Sequence, residues 1–165
     1  HSLGGWTAGA FALAEPYRVR RLVLVDAAGF ARPDPAAEEA LRRDLSPATR
    51  EGTRRLYDLL FLRKPLPAWG FLLEAFGRQY RRPNVVDTVG ALSREDALLG
   101  REAGLPRGTV FVHGAEDLVC PLEDVRRAAA KVPGGRLLVV LGTGHDAPIE
   151  APQLFDDTLR RLLGG

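Results

Sequence analysis

The chain has 165 residues, 45% hydrophobic and 27% charged, which fits one domain of ordinary size and argues against a disordered, collagen-like or coiled-coil chain. Its 23 Lys+Arg against 21 Asp+Glu leave a net charge of +2. The arginine pairs have acids beside them, as Arg42 and Arg43 have Glu38 and Glu39, so no nucleic-acid partner is expected. The single cysteine, Cys120, excludes an internal disulfide and a paired-cysteine metal or redox site, and no run approaches the ~20 apolar residues of a membrane span.

The predicted elements begin with residues 5–14 (GWTAGAFALA), small and apolar, as suits a helix packed closely on a sheet; Glu15-Pro16 ends it. Residues 21–25 (RLVLV) are a short continuous apolar run, the pattern of a strand buried on both faces of a parallel sheet. From 34 to 103 no convincing strand occurs. Ser46-Pro47 reads as a helix opening, a cap residue followed by proline, and that helix carries Leu56, Leu59 and Leu60 on one face. Residues 67–80 (PAWGFLLEAFGRQY) form another apolar helix, and Asn84 is read as the cap of a third. A helical block of roughly 70 residues between two parallel strands is a lid or cap rather than a crossover.

Two further apolar strands follow at 109–113 (TVFVH) and 137–141 (LLVVL). Between them 122–132 (LEDVRRAAAKV) reads as an amphipathic helix, and 152–163 (PQLFDDTLRRLL) closes the chain as a helix with Pro152 in its first turn. The pattern predicts an α/β fold with a parallel sheet and an inserted helical cap. Its parts are expected at 1–33 (elbow, helix and following strand), 34–103 (cap) and 104–165 (C-terminal strands and helices).

Three places can carry chemistry. His1-Ser2-Leu3-Gly4-Gly5 runs straight into a helix, as a serine nucleophile on a sharp strand-to-helix turn does; Leu3 N–H then sits at the helix N-terminus, where an oxyanion can bind. His113-Gly114-Ala115-Glu116-Asp117 places an acid just after a strand, and Gly142-Thr143-Gly144-His145 places a histidine just after the next. Alone, each has a plain structural role: a helix cap, a solvated loop acid, a loop histidine. Together they come in the order nucleophile, acid, histidine, 115 and 28 residues apart. That order separates the arrangement from the two common serine-protease orders.

On these residues, HSLGG with its small-residue helix and RLVLVDAAGF, then VFVHGAEDLVCP, then GTGHDAPIEAP, the chain resembles the C-terminal part of an α/β-hydrolase-fold enzyme. The segment RLYDLLFLRKPLPAW is similar to the cap of small lipases and monoacylglycerol-lipase-like esterases. The resemblance implies Ser2 as nucleophile, His145 as base, Asp117 as orienting acid and Leu3 N–H as half of an oxyanion hole, with no metal and no organic cofactor. Asp26, after RLVLV, is the other acid at a strand end, and some members of the fold resemble that placement; Asp117 is preferred because its loop lies one helix and one strand before His145.

Leu60, Trp69 and Phe71 are read as substrate contacts of the apolar cap, against the alternative that they pack it. A serine at the elbow disfavours the dehalogenases and epoxide hydrolases of the fold. The function expected is hydrolysis of a small or medium acyl ester, with carbon–carbon hydrolysis, haloperoxidase-like chemistry, aminopeptidase action or a non-catalytic domain as alternatives. The partner expected is a small-molecule ester and the compartment the cytoplasm. The resemblance also implies preceding strands and an early oxyanion loop, so the chain is expected to begin just inside the elbow of a longer protein; strand 21–25 would otherwise keep an uncovered side.

Overall fold

The computed structural model describes residues 1–32 and 34–163. Its centre is a parallel sheet of three strands, β1 (Val23–Val25), β2 (Val110–Gly114) and β3 (Arg136–Val140), in the order β1-β2-β3. Val25 pairs with Val112, and Val112 with Leu138, so the carboxyl ends of the strands lie side by side. Each expected strand is present, shifted by one or two residues: Arg21 and Leu22 precede β1, and β2 runs on through Gly114.

Helices cover both faces, as the unalternated apolar strands require. On one face α1 (Ser2–Ala14) and α6 (Leu122–Lys131) bury Ala12, Leu24, Phe111, Val125 and Ala128. The small residues of α1 let it approach closely: a Cβ at Gly5 would stand 2.6 Å from that of Ala27. On the other face Val25, Val110, Val112 and Val140 pack with Ala147 of the short α7 (Ala147–Glu150) and with Phe155 and Leu162 of α8 (Pro152–Leu163).

Between β1 and β2 the chain forms α2 (Pro35–Leu45), α3 (Arg50–Leu60), α4 (Gly70–Tyr80) and α5 (Pro83–Ala91), with no strand among the described residues there. Two expected helix starts are corrected. Ser46 closes α2; the cap of α3 is Thr49, whose Oγ1 accepts from Gly52 N–H at 3.0 Å. The cap-plus-proline signature belongs instead to Asp34-Pro35, where Asp34 accepts from Ala36 and Ala37 N–H and opens α2, a helix the sequence pattern left unassigned. Asn84 lies inside the first turn of α5, because Pro83 with its preset φ takes the first helical position. Leu56, Tyr57, Leu60, Phe61 and Leu73 form the core of these helices, closed by Val119 and Cys120 from the loop after β2.

Candidate active site

Ser2 from the start of α1 and Asp117 and His145 from the loops after β2 and β3 meet in one line of hydrogen bonds. Ser2 is the first residue of α1 and has φ of 50°, a left-handed conformation rare outside glycine. This sharp entry into the helix points Ser2 Oγ at His145 Nε2, 2.8 Å away. His145 Nδ1 lies 2.9 Å from Asp117 Oδ2, and Asp117 Oδ1 accepts from the N–H groups of Val119 and Cys120 at 2.8 and 2.9 Å. A carboxylate only accepts, so His145 carries its proton on Nδ1 and turns the Nε2 lone pair toward the serine hydroxyl.

Backbone contacts hold the line in place. His145 N–H donates to the Leu60 carbonyl at 3.1 Å, which ties the histidine loop to the end of α3. Glu150 joins the same two regions, accepting from Gly144 N–H at 2.9 Å and Arg63 N–H at 2.6 Å. Gly114 is needed where β2 meets this loop: a Cβ there would lie 2.0 Å from the Gly144 carbonyl oxygen. Leu3 N–H belongs to the first turn of α1, whose leading amides have no carbonyl one turn back.

His145 is buried. Burial alone would lower its pKa, but the Asp117 hydrogen bond and charge, helped by Asp26 and Asp146, outweigh it and raise the value above 6.5. The Cys120 thiol is pushed up by burial and by Asp117, the opposite of what a thiolate nucleophile needs. Asp26, His113 and Asp117 bring ligand-type atoms within 4.8 Å of one another, as do Asp117, Cys120 and His145. Both groups share Asp117, whose two oxygens are already committed to backbone N–H groups and to His145.

The expected substrate contacts lie apart from this line. The Leu60 side chain is buried in the core formed by α3 and α4, and only its carbonyl reaches His145. Trp69 and Phe71 are exposed at the start of α4 with ring centroids 6.0 Å apart. Two groups that sequence reading did not single out sit beneath the line: His113, fully buried inside β2, and His1, whose Nε2 is 2.8 Å from the His145 carbonyl oxygen. A histidine within an apolar strand, as in TVFVH, was the available signal for the first.

The sequence matches the Alpha/beta hydrolase family over residues 1–158. The chain belongs to this family. It is 29% identical to 2-hydroxymuconate semialdehyde hydrolase from Pseudomonas putida, over 99% of this chain and 60% of that one. The hydrolase fold is matched by the crystal structure of a point mutant of CumD, a meta-cleavage product hydrolase from Pseudomonas fluorescens IP01, with TM-score 0.80, 26% identity and coverage of 99% of this chain and 62% of that one. It is also matched by a thermophilic esterase from Thermogutta terrifontis, with TM-score 0.71, 26% identity and coverage of 98% and 62%. The chain thus spans about three fifths of the length of the curated hydrolase it matches.

Proposed function

We propose that this chain carries the reacting groups of a serine hydrolase that cleaves a carboxylic ester through an acyl-enzyme. Ser2 Oγ attacks the ester carbonyl while His145 Nε2 takes its proton. Asp117 keeps the imidazole in the reactive tautomer and stabilises the imidazolium. The Leu3 N–H donates to the oxyanion as it forms. The tetrahedral intermediate collapses, and the alcohol leaves with the proton that His145 returns. A water molecule, deprotonated by His145, then releases the acid and restores Ser2. The sequence of steps balances without a metal or organic cofactor. The observation that carries the reading is the 2.8 Å bond from Ser2 to His145 continuing into the 2.9 Å bond to Asp117, at a serine held with positive φ.

A small or medium acyl ester is the substrate class favoured by the apolar cap, with Trp69 and Phe71 as the groups available to an acyl chain. Leu60 acts through its carbonyl instead. The likeness to the Pseudomonas putida enzyme and to CumD favours a second reading, hydrolysis of a carbon–carbon bond beside a carbonyl group. The two chemistries share the serine attack but differ in the leaving group, an alkoxide in one and a carbanion in the other.

The test, made on the full-length protein that carries this chain because the 165 residues alone are expected to be inactive, is a comparison of kcat/KM for p-nitrophenyl acetate, butyrate and octanoate with that for 2-hydroxymuconate semialdehyde, each repeated with Ser2→Ala. Ester turnover that vanishes in Ser2→Ala supports the proposal. Fast loss of the semialdehyde with slow ester cleavage overturns the substrate class. No turnover of either and no labelling of Ser2 by a fluorophosphonate overturns the hydrolase reading.

A further inference from the structure

Asp26 is a fully buried group that the proposed reaction does not use. It follows β1 with φ of 43°. Its Oδ1 accepts from Gly114 N–H at 2.7 Å and lies 3.6 Å from His113 Nδ1. Neither Asp26 Oδ2 nor His113 Nδ1 makes a hydrogen bond of ordinary geometry among the described residues. His113 is equally buried. Its Nε2 is 2.7 Å from the Cys120 carbonyl oxygen and 3.4 Å from Asp117 Oδ2. Both of those groups only accept, so Nε2 bears the N–H. A neutral His113 therefore turns a bare Nδ1 lone pair toward the Asp26 carboxyl. Two acceptors facing each other away from water repel; at 3.6 Å they stand beyond hydrogen-bond length, and a proton on one of them turns the repulsion into an attraction that an approach of about half an ångström completes as a bond.

We infer that Asp26 and His113 are positioning residues, a buried carboxyl–imidazole pair that holds one proton between them and braces, through His113 Nε2, the loop carrying Asp117. The bracing role rests on the reading of Asp117 as the acid of the reaction. Burial pushes the Asp26 carboxyl up to about 7 and lowers His113, so the shared proton rests on the aspartate side. Around Asp26, the N–H groups of Gly114 and Ala147 and the charge of His145 favour the ionised form, and Asp117 opposes it. Around His113, Asp117 and the Cys120 carbonyl favour the imidazolium, and His145 opposes it. His1 completes the surroundings, with Nε2 3.9 Å from Asp26 Oδ2 and 3.5 Å from Asp146 Oδ1. Loss of the shared proton near neutral pH adds a negative charge beside His145 and raises its basicity, so the two sites titrate as a coupled system.

The experiment joins spectroscopy of the wild-type protein with a pH profile. In 15N-histidine NMR, His113 is expected as the neutral tautomer with its proton on Nε2. Infrared difference spectra are expected to contain a protonated-carboxyl band that fades near neutral pH and is missing in Asp26→Asn. Asp26→Asn, checked for folding by its thermal melt, is expected to move the acid limb of kcat/KM to lower pH by roughly half a unit or more, with KM little changed. A purely structural Asp26 would lower the melting temperature and leave the limb in place, which overturns the proposal. So does a wild-type protein without the carboxyl band, or a His113 with its proton on Nδ1. If Asp26→Asn does not fold, His113→Gln replaces it: its amide can still donate to Cys120, and the Asp26 band is expected to fade at a different pH. Retained activity in Ser2→Ala would overturn the hydrolase reading through a separate measurement, and the spectra would still report whether the pair holds its proton.

Discussion

Ser2 occupies backbone space that serine adopts only under constraint, and the same geometry aims its hydroxyl at His145. Removing that hydroxyl takes away one hydrogen bond, to His145, at a half-buried position and no apolar packing. In the full-length protein, Ser2→Ala is therefore expected to lower kcat on a p-nitrophenyl ester by several orders of magnitude with little change in melting temperature; a residual rate above about a tenth of wild type would remove the serine mechanism. His145 must be neutral to accept the serine proton. Its pKa is raised, so kcat/KM should climb along a limb centred above 6.5, and a flat profile from about pH 5 to 9 would take the histidine out of the rate-limiting chemistry. Asp117→Asn removes the acceptor that fixes the tautomer and is expected to lower kcat by up to about 10⁴ while the protein stays folded. Asp26→Asn should lower kcat far less, since the Asp26 carboxyl does not touch His145 Nδ1. The reverse outcome would move the orienting acid one strand earlier.

At the scale of elements, the site depends on two loops meeting at a distance only glycine allows. A methyl group on Gly114 would collide with the backbone oxygens of Gly144 and Thr143, at 2.0 and 2.8 Å, and neither can swing aside as a side chain tip would. Gly114→Ala is expected to destabilise the protein by about 1–3 kcal/mol and to lower kcat more than the fall in stability explains, because the displaced loop carries His145. Parallel measurement of thermal melts and kcat checks this; a variant with normal kcat would show that the loop can move without shifting the histidine. Much of this level was legible in the sequence. Unalternated runs such as RLVLV and TVFVH marked the buried parallel strands, and the order of Ser2, Asp117 and His145 marked their loops. Helix starts in the cap were less legible, because Asp34-Pro35, Ser46-Pro47 and Pro83 all carry start signals and only three-dimensional context decides which side chain reaches an amide. The pairing of Asp26 with His113 was hidden as well: 87 residues separate them, and only the β1–β2 register brings them together. Leu60 illustrates a further limit, since its role passes through a backbone carbonyl that no residue type advertises.

For the whole molecule, the polar site sits beside three apolar clusters: one on each face of the sheet and one between α3 and α4, the last including Val119 and Cys120 from the Asp117 loop. Enclosure of this kind excludes water from Asp26, and the global stability should report it. The unfolded Asp26 carboxyl ionises near 3.8, whereas in the folded protein burial holds the proton until about 7. Well below 3.8 both states are protonated, and well above 7 both are ionised. Between these values the folded state keeps a proton that the unfolded state has lost, so stability falls as pH rises, by about 1.4 kcal/mol per pH unit and about 4 kcal/mol in all as an upper bound. Asp146, raised by burial, contributes with the same sign; His145, raised, also loses stability as pH climbs through its folded value; His113, lowered, acts the other way below 6.5. Comparison with Asp26→Asn removes the terms independent of that carboxyl and leaves Asp26 together with its coupling to His145 and His113. Denaturant unfolding at about pH 5 and pH 8 should show the variant gaining on the wild type by up to about 3 kcal/mol between the two conditions, since about two pH units of the window lie between them, whatever its stability at the lower pH. A wild-type-minus-variant difference that does not change with pH would mean that Asp26 is already ionised in the folded protein at pH 5, and would overturn its assignment as a buried, protonated carboxyl.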